Sequence, residues 1–226
     1  FVESQRVAYA DRELYTADAD FATVPVAGLV DAGYIATRSA LISADTTIAK
    51  AEAGVPPGAP LARGDGPEEP ESGTTHFAIT DAAGNAISYT STIEGAFGSG
   101  LYFGGFYLNN ELTDFTFTAE ENGKPVANRV QGGKRPRSSM APTIVYDGAG
   151  RVVLVIGAAG GPTIPVQVAR SIIGVIDFGM SAQDALGMPV IMSFGEAVLI
   201  EEGSALEAME PALKALGHAA IRTGAP

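Results

Sequence analysis

Between Ala51 and Gly73 the chain carries no apolar periodicity, and this break limits what the rest can become. Val55-Pro56-Pro57-Gly58 and Gly66-Pro67-Glu68-Glu69-Pro70-Glu71-Ser72-Gly73 supply Gly, Pro and acid instead, the composition of an exposed, flexible linker. On its N-terminal side Val7 and Leu14, and then Asp31 through Tyr34, Ile35 and Leu41, follow a helical pattern. Val24-Pro25-Val26 between them reads as extended, because a residue before proline avoids the helical region. On its C-terminal side the pattern turns to strands. Phe77 and Ile79 alternate with small or polar residues, Asp81-Ala82-Ala83-Gly84-Asn85 supplies a turn, and Ala86 to Thr92 returns as the second arm of a hairpin.

A second hairpin is predicted from Thr143 to Tyr146 and Val152 to Ile156 around Asp147-Gly148-Ala149-Gly150. Gly157-Ala158-Ala159-Gly160-Gly161 then leads into a helical run through Val166, Val168, Ile172, Ile173 and Ile176. Ser181 with Asp184 fits a capping box, Ala197 to Ile200 reads as a strand, and Ser204 to Leu216 as a helix that Pro211 starts or kinks. Strands followed by helices, without regular alternation, predict layered α+β packing.

The chain has 226 residues and a formal net charge of -12. That charge argues against a nucleic-acid partner, since phosphate binding needs clustered Lys and Arg. Without Cys there are no disulfides, no thiolate metal sites and no cysteine nucleophile. With only His76 and His218, an imidazole-based triad or a poly-His metal site is poorly provisioned. No apolar run is long enough to span a bilayer; the most apolar, Val152 to Ile156, stops at Gly157. The start at Phe1, without Met and inside a helical segment, reads as that of a fragment, and no signal peptide is visible.

A nucleophile here needs a base other than histidine. A Thr at a newly made chain terminus meets the need, because its own α-amine can take the hydroxyl proton and titrates near neutrality, at about 7.7–8.0 unperturbed. Thr74, in Ser72-Gly73-Thr74-Thr75-His76, stands at the end of the acidic linker and the start of a strand, well placed for such a cut. On local chemistry alone a structural, strand-starting Thr is the commoner case. His76, on the same strand, is read as packed rather than catalytic, and His218, in Leu216-Gly217-His218, as part of a helix C-cap.

Several blocks in order carry a resemblance. Thr74-Thr75-His76-Phe77 with Asp81, Gly84-Asn85-Ala86 and Thr90-Ser91-Thr92, then Phe97-Gly98-Ser99-Gly100, Leu108-Asn109-Asn110-Glu111-Leu112-Thr113-Asp114-Phe115, Gly133-Lys134-Arg135-Pro136-Arg137-Ser138-Ser139-Met140-Ala141-Pro142-Thr143 and Gly157-Ala158-Ala159-Gly160-Gly161 are similar to the small subunit of γ-glutamyltranspeptidases. Tyr9-Ala10-Asp11-Arg12, within Arg6 to Ile42, resembles the end of that family's large subunit.

The resemblance implies a four-layer αββα sandwich of the N-terminal-nucleophile hydrolases, here partial, with the N-terminal part of the large subunit missing. It divides the chain into residues 1–73, the end of the large subunit with its acidic linker, and residues 74–226, a small catalytic subunit truncated at its C-terminus. Carried over by position, Thr74 is the nucleophile, both in self-cleavage after Gly73 and in attack on a γ-glutamyl amide such as glutathione. Thr92 orients the terminal threonine through its hydroxyl. Glu111 and Asp114 hold the substrate's α-ammonium, Ser138 and Ser139 its α-carboxylate, and Gly160 and Gly161 supply the oxyanion hole. Glu94 stands where many members have Asn in a substrate-contacting Thr-x-Asn segment; a carboxylate there favours the ammonium.

Physically, two carboxylates three positions apart can converge on one ammonium, while adjacent glycines let N–H groups approach an oxyanion. Each site also has a bland reading: solvated loop acids, turn serines, a turn into a helix. The family's large subunit supplies an Arg to the substrate carboxylate, and no position of this chain matches it. Ala119 to Gln131, polar and Gly/Pro-containing, reads as a mobile lid. The resemblance also implies no metal or organic cofactor, an amino acid or water as acceptor, the remainder of the large subunit as partner, and a periplasmic or secreted location; apolar faces exposed where the missing layer would pack invite a homodimer. It leaves open a cephalosporin (glutaryl) acylase of the same fold and an inert, uncleaved precursor fragment.

Overall fold

In the computed structural model of this chain, residues 1–60, 63–64 and 73–224 are described. Along the chain come helix α1 (Val2–Tyr15), the single turn α2 (Val26–Leu29) and α3 (Ala32–Ser39). The hairpin β1 (Thr74–Thr80) and β2 (Ala86–Thr92) follows, then two short ribbons, β3 (Tyr102–Phe103) with β4 (Phe106–Tyr107) and β5 (Glu120–Glu121) with β6 (Lys124–Pro125). The second hairpin is β7 (Thr143–Tyr146) with β8 (Val152–Ile156). Helices α4 (Ile164–Ile176) and α5 (Ala182–Leu186) precede β9 (Ile191–Met192), β10 (Ala197–Glu201), α6 (Glu210–Leu216) and β11 (Ala220–Gly224). Among the described residues no helix is long and apolar enough to cross a membrane.

The chain forms two compact units that interleave in sequence. The first takes Phe1–Glu68, Phe115–Arg137 and Pro189–Pro226; the second takes Glu69–Asp114 and Ser138–Met188. Compactness therefore does not follow the border between residues 73 and 74.

In the first unit β9, β10 and β11 form one sheet, with β10 central, antiparallel to β9 and parallel to β11 through the α6 crossover. Val198 and Ile200 point to one side by strand alternation and close a core with Val2 of α1 and Leu213 of α6. Helix α1 is tied to this sheet by polar side chains as well. Gln5 accepts from the Ser193 N–H at 2.7 Å, and Arg6 donates to the Gly195 carbonyl at 2.9 Å.

Three expectations change in this unit. The first part of the linker is packed, not loose. Asp11 accepts from the Gly54 N–H at 2.7 Å, Tyr15 donates to the Gly54 carbonyl at 2.7 Å, Arg38 donates to the Glu52 carbonyl, Pro56 is fully buried, and the Pro57 carbonyl lies where a Cβ on Gly28 would stand. Helix side chains satisfy the backbone that Gly and Pro leave without a ladder. Residues 61–62 and 65–72 of the linker lie outside the described residues. Val26, read as extended, opens the turn α2, with Pro25 as its N-cap residue. The expected mobile lid is anchored at its C-terminal half: Val126, Ala127 and Asn128 are 1%, 3% and 0% exposed, and buried Lys134 donates to the carbonyls of Ala127 and Arg129.

In the second unit β7 and β8 pair antiparallel from Thr143↔Ile156 inward, with an irregularity at Val145/Tyr146. Ile156, Ile164 and Val168 form the core, with Met140, Leu154 and Ile172 against it. Gly174 lets α5 close on α4, since a Cβ there would meet the Met188 methyl at 2.8 Å and Ala185 Cβ at 3.0 Å. The β1–β2 hairpin lies beside β7 and β8. Its inner face carries His76 with Ser88 and Thr90: Ser88 donates to the Ile156 carbonyl at 2.9 Å, and the His76 ring fills the space a Cβ on Gly157 would need. Phe77 and Tyr89, paired across the ladder and stacked at 5.0 Å, are half-exposed on the outer face with Ile79 and Ile87.

Candidate active site

The antiparallel register sets Thr74 directly opposite Thr92, so both side chains lie on the inner face of the hairpin. The uncut Gly73–Thr74 junction enters the strand in an unusual geometry. Gly73 has φ +111°, and a Cβ there would come 2.4 Å from the Glu94 carbonyl oxygen; both facts restrict the position to glycine. Thr92 Oγ1 donates to the Gly73 carbonyl at 3.2 Å and accepts from the Glu94 N–H at 2.8 Å. In the uncut chain, then, the Thr92 hydroxyl sits on the carbonyl before Thr74 rather than on Thr74 itself.

Glu94 has φ +69°, a left-handed conformation uncommon for a residue with a side chain. Asn110 donates through Nδ2 to the Glu94 carboxylate, and its Oδ1 accepts from the Gly95 N–H at 2.8 Å. Beyond Asn110 the chain turns through a short 3₁₀ helix, Glu111–Asp114. Residues three apart eclipse in such a helix, which brings the Glu111 and Asp114 carboxyl groups into one hydrogen bond. Burial pushes the Glu111 carboxyl up, the bond with Asp114 opposes this, and the charge of Glu94 adds to the rise. Glu111 Oε1 is buried without a hydrogen-bond partner. A buried Glu111 carboxyl beside the charge of Glu94 is an environment that a nearby positive charge relieves.

The other predicted residues reach the same end of the strands by different routes. Ser138 and Ser139 precede β7, and the glycine run follows β8, at the end where Thr143 pairs with Ile156. Ser138 is exposed and its Oγ accepts from the Met140 N–H at 3.2 Å, whereas Ser139 is 4% exposed. Gly160 and Gly161 have φ +119° and +55° and open the turn into α4. Gln167 donates to the Ala159 carbonyl at 2.9 Å and Thr163 to that of Gly160 at 2.8 Å. The path from Ser88 against Ile156 to His76 against Gly157 runs on toward Thr74 and Thr92, alongside the start of the glycine run. Direct contacts join Gly73, Thr92 and Glu94, and Asn110 links Glu94 to the segment in which Glu111 bonds Asp114; Ser138 and the glycine pair make contacts within their own segments.

His76 donates or accepts at Nδ1 with Thr90 Oγ1 at 2.9 Å, as a packing residue of the hairpin. His218 closes α6, its N–H donating to the Leu213 carbonyl at 3.1 Å after Gly217 at φ +108°, and its ring is buried near Glu3 and Thr47. Sequence reading missed Asn110 as a structural hub. The only signal was its place in Asn109-Asn110-Glu111, beside the acids. Among the described residues no group of three or more His, Cys, Asp or Glu could hold a metal ion.

A family model, Gamma-glutamyltranspeptidase, matches residues 1–225. The chain belongs to the γ-glutamyltranspeptidase family. It is 38% identical over 224 residues to the glutathione hydrolase proenzyme of Bacillus subtilis subsp. natto, covering 96% of this chain and 37% of that protein. It is 34% identical over 223 residues to the acylase ACY 1 proenzyme of Pseudomonas sp. strain SE83, covering 98% and 37%. The chain thus spans little more than a third of the length of these γ-glutamyltranspeptidase-family relatives. The crystal structure of cephalosporin acylase from Bacillus halodurans superposes with a TM-score of 0.81 at 23% identity, over 100% of this chain and 38% of that one. The fold is that of the α+β N-terminal-nucleophile hydrolases, the αββα sandwich, represented here in part.

Proposed function

We propose that this chain carries the nucleophile of a γ-glutamyl hydrolase or transferase, made by self-cleavage between Gly73 and Thr74. The observation that carries the reading is the hydrogen bond from Thr92 to the carbonyl of the bond to be cut. It polarises the carbon that the Thr74 hydroxyl attacks. The C–N bond then breaks, the hydroxyl proton passes to the departing amine, and an ester links Gly73 to Thr74 Oγ. Water hydrolyses that ester, leaving a Gly73 carboxylate and a terminal Thr74.

In turnover, the freed α-amine takes the Thr74 hydroxyl proton as the oxygen attacks a γ-glutamyl amide. The leaving amine departs with a proton, and water or an amino-acid amine resolves the γ-glutamyl-threonyl ester. Glu94, Glu111 and Asp114 hold the substrate's ammonium, Ser138 and Ser139 its carboxylate. The N–H groups of Gly160 and Gly161 stabilise the oxyanion, a donor of this kind being worth about 2.7–4 kcal/mol. Glutathione, named for the Bacillus relative, is the proposed donor. The missing remainder of the precursor supplies the other layers and an arginine for the substrate carboxylate. The family's usual place, periplasmic or secreted, is proposed for this protein too.

The identity to an acylase over nearly the whole chain supports a second reading, removal of a glutaryl side chain. The two substrates differ by the α-ammonium, and the buried Glu111 carboxyl beside the charge of Glu94 favours the substrate that has it. Two experiments test this. Intact mass and N-terminal sequencing of the complete protein give two pieces, one beginning Thr-Thr-His-Phe, and Thr74→Ala gives one. Cleavage retained in Thr74→Ala overturns the nucleophile. The matured enzyme hydrolyses γ-glutamyl anilide in preference to glutaryl anilide; the reverse order makes it an acylase.

A further inference from the structure

Asn110 is the point at which the cleavage junction and the acidic cluster meet, though it belongs to neither. Its N–H donates to the Ile93 carbonyl at 3.2 Å, and its Oδ1 takes the Gly95 N–H at 2.8 Å. Its Nδ2 donates to the Glu94 carboxylate and, at 3.2 Å, to Thr113 Oγ1; Thr113 returns a bond to the Asn110 carbonyl at 2.8 Å. One amide therefore clasps the turn 93–95 to the 3₁₀ helix that bears Glu111 and Asp114.

What it clasps is the least relaxed part of the site. Glu94 stays at φ +69°, a conformation that persists only where neighbours over-determine it. Through that conformation the Glu94 carbonyl packs on Gly73 and its N–H reaches Thr92 Oγ1, while its carboxylate, held by Asn110, is near enough for its charge to raise the Glu111 carboxyl.

We propose that Asn110 is a positioning residue with two clients: it fixes the Gly73–Thr74 bond for cleavage and seats the Glu94 carboxylate for the substrate's ammonium. Asn110 touches neither the scissile bond nor, on this reading, the substrate; both effects pass through Glu94. The inference rests on Thr74 as nucleophile and on the acids as the ammonium site.

The test uses the complete protein. Asn110→Asp keeps an oxygen for the Gly95 N–H but sets a second negative charge against Glu94. Exchanging the pair, Asn110→Asp with Glu94→Gln, restores a donor–acceptor couple with its direction reversed. A lost hydrogen bond to a charged group predicts cleavage slowed by about tenfold or more in Asn110→Asp, with a comparable rise in KM for γ-glutamyl anilide and little change in kcat. The exchange restores the cleavage rate and leaves KM raised, because position 94 has lost its charge. Parent-like cleavage and KM in Asn110→Asp overturn the proposal. So does an exchange variant that folds with parental melting temperature and circular dichroism but does not regain cleavage. Failure of the underlying reading has a different signature. Glu94→Gln alone would then leave KM for γ-glutamyl anilide at the parental value, while the exchange still restores cleavage.

Discussion

Two carboxylates, Glu3 and Glu111, show how differently this protein treats buried negative charge. Burial pushes the Glu3 carboxyl up, but its partners outweigh burial and hold it below the ordinary value. Oε2 accepts the Ile48 N–H at 2.7 Å, and Oε1 accepts from Arg6 at 2.9 Å and from the Thr47 hydroxyl at 2.8 Å. Arg6, 3% exposed, also donates to the Ile48 and Gly195 carbonyls. Among the described residues Glu111 forms no ion pair. One of its oxygens is buried without a partner, its neighbours are acids, and its carboxyl is held above the ordinary value by burial and by Glu94. The first arrangement is complete within the chain. The second is left incomplete among the described residues, as the proposed ammonium site requires.

The sharpest way to break this contrast is to remove Glu3. Glu3→Ala strands the buried Arg6 guanidinium, and breaking a buried pair in this way costs about 3–5 kcal/mol; urea unfolding of the parent and the variant measures it. A loss near zero would mean that Gly195, Ile48 and Glu196 satisfy Arg6 unaided.

Glu111→Gln should do the reverse. It removes an unfavourable charge, so the melting temperature at neutral pH stays the same or rises. Meanwhile KM for a γ-glutamyl anilide increases, a charge-assisted bond being worth about 1.5–3 kcal/mol. A variant that loses stability without losing affinity would make Glu111 structural like Glu3.

The smallest effect is on pH dependence, where the two acids carry opposite signs. Glu3, with its folded value lowered, contributes stability that is present above the ordinary carboxylate range and lost as pH falls through the lowered value. Glu111, with its folded value raised, contributes stability that is full in acid and lost as pH rises through the raised value. Melting temperatures from roughly pH 3 to pH 7 should therefore show a flatter acid limb in Glu3→Ala. They should show a smaller decline toward neutrality in Glu111→Gln. Identical profiles for the two variants would erase the distinction.

Much of this was legible in the sequence where the determinants are local. The β1–β2 hairpin follows from alternation around Asp81–Asn85, where Asp81 caps the turn by accepting from the Ala83 and Asn85 N–H groups, both at 2.9 Å. The short helix α5 follows from Ser181, which accepts from the Asp184 N–H at 3.1 Å. The pairing of Glu111 with Asp114 follows from their spacing. What escaped was non-local. Strand β11 holds one strong apolar residue, Ile221, and exists because β10 lies beside it in parallel. The order in residues 51–60 comes from Asp11, Tyr15 and Arg38, side chains on helices far back in the sequence. The role of Asn110 depends on a positive φ at Glu94, which no propensity announces.

The hairpin register has one more consequence, in time rather than space. Thr74 and Thr92 face each other across a turn of Asp81–Asn85, so their pairing is written into about twenty consecutive positions. Hairpins close in about 1–10 μs, whereas a bond such as Ser193 to Gln5, 188 residues apart, waits for most of the chain to collapse. The pairing of Thr74 with Thr92 is thus among the first features expected to take shape. On the proposed cleavage, folding then supplies a clock: Thr74 and Thr92 pair early, and the later contacts of Glu94 with Thr92 and Asn110 decide when the junction acts.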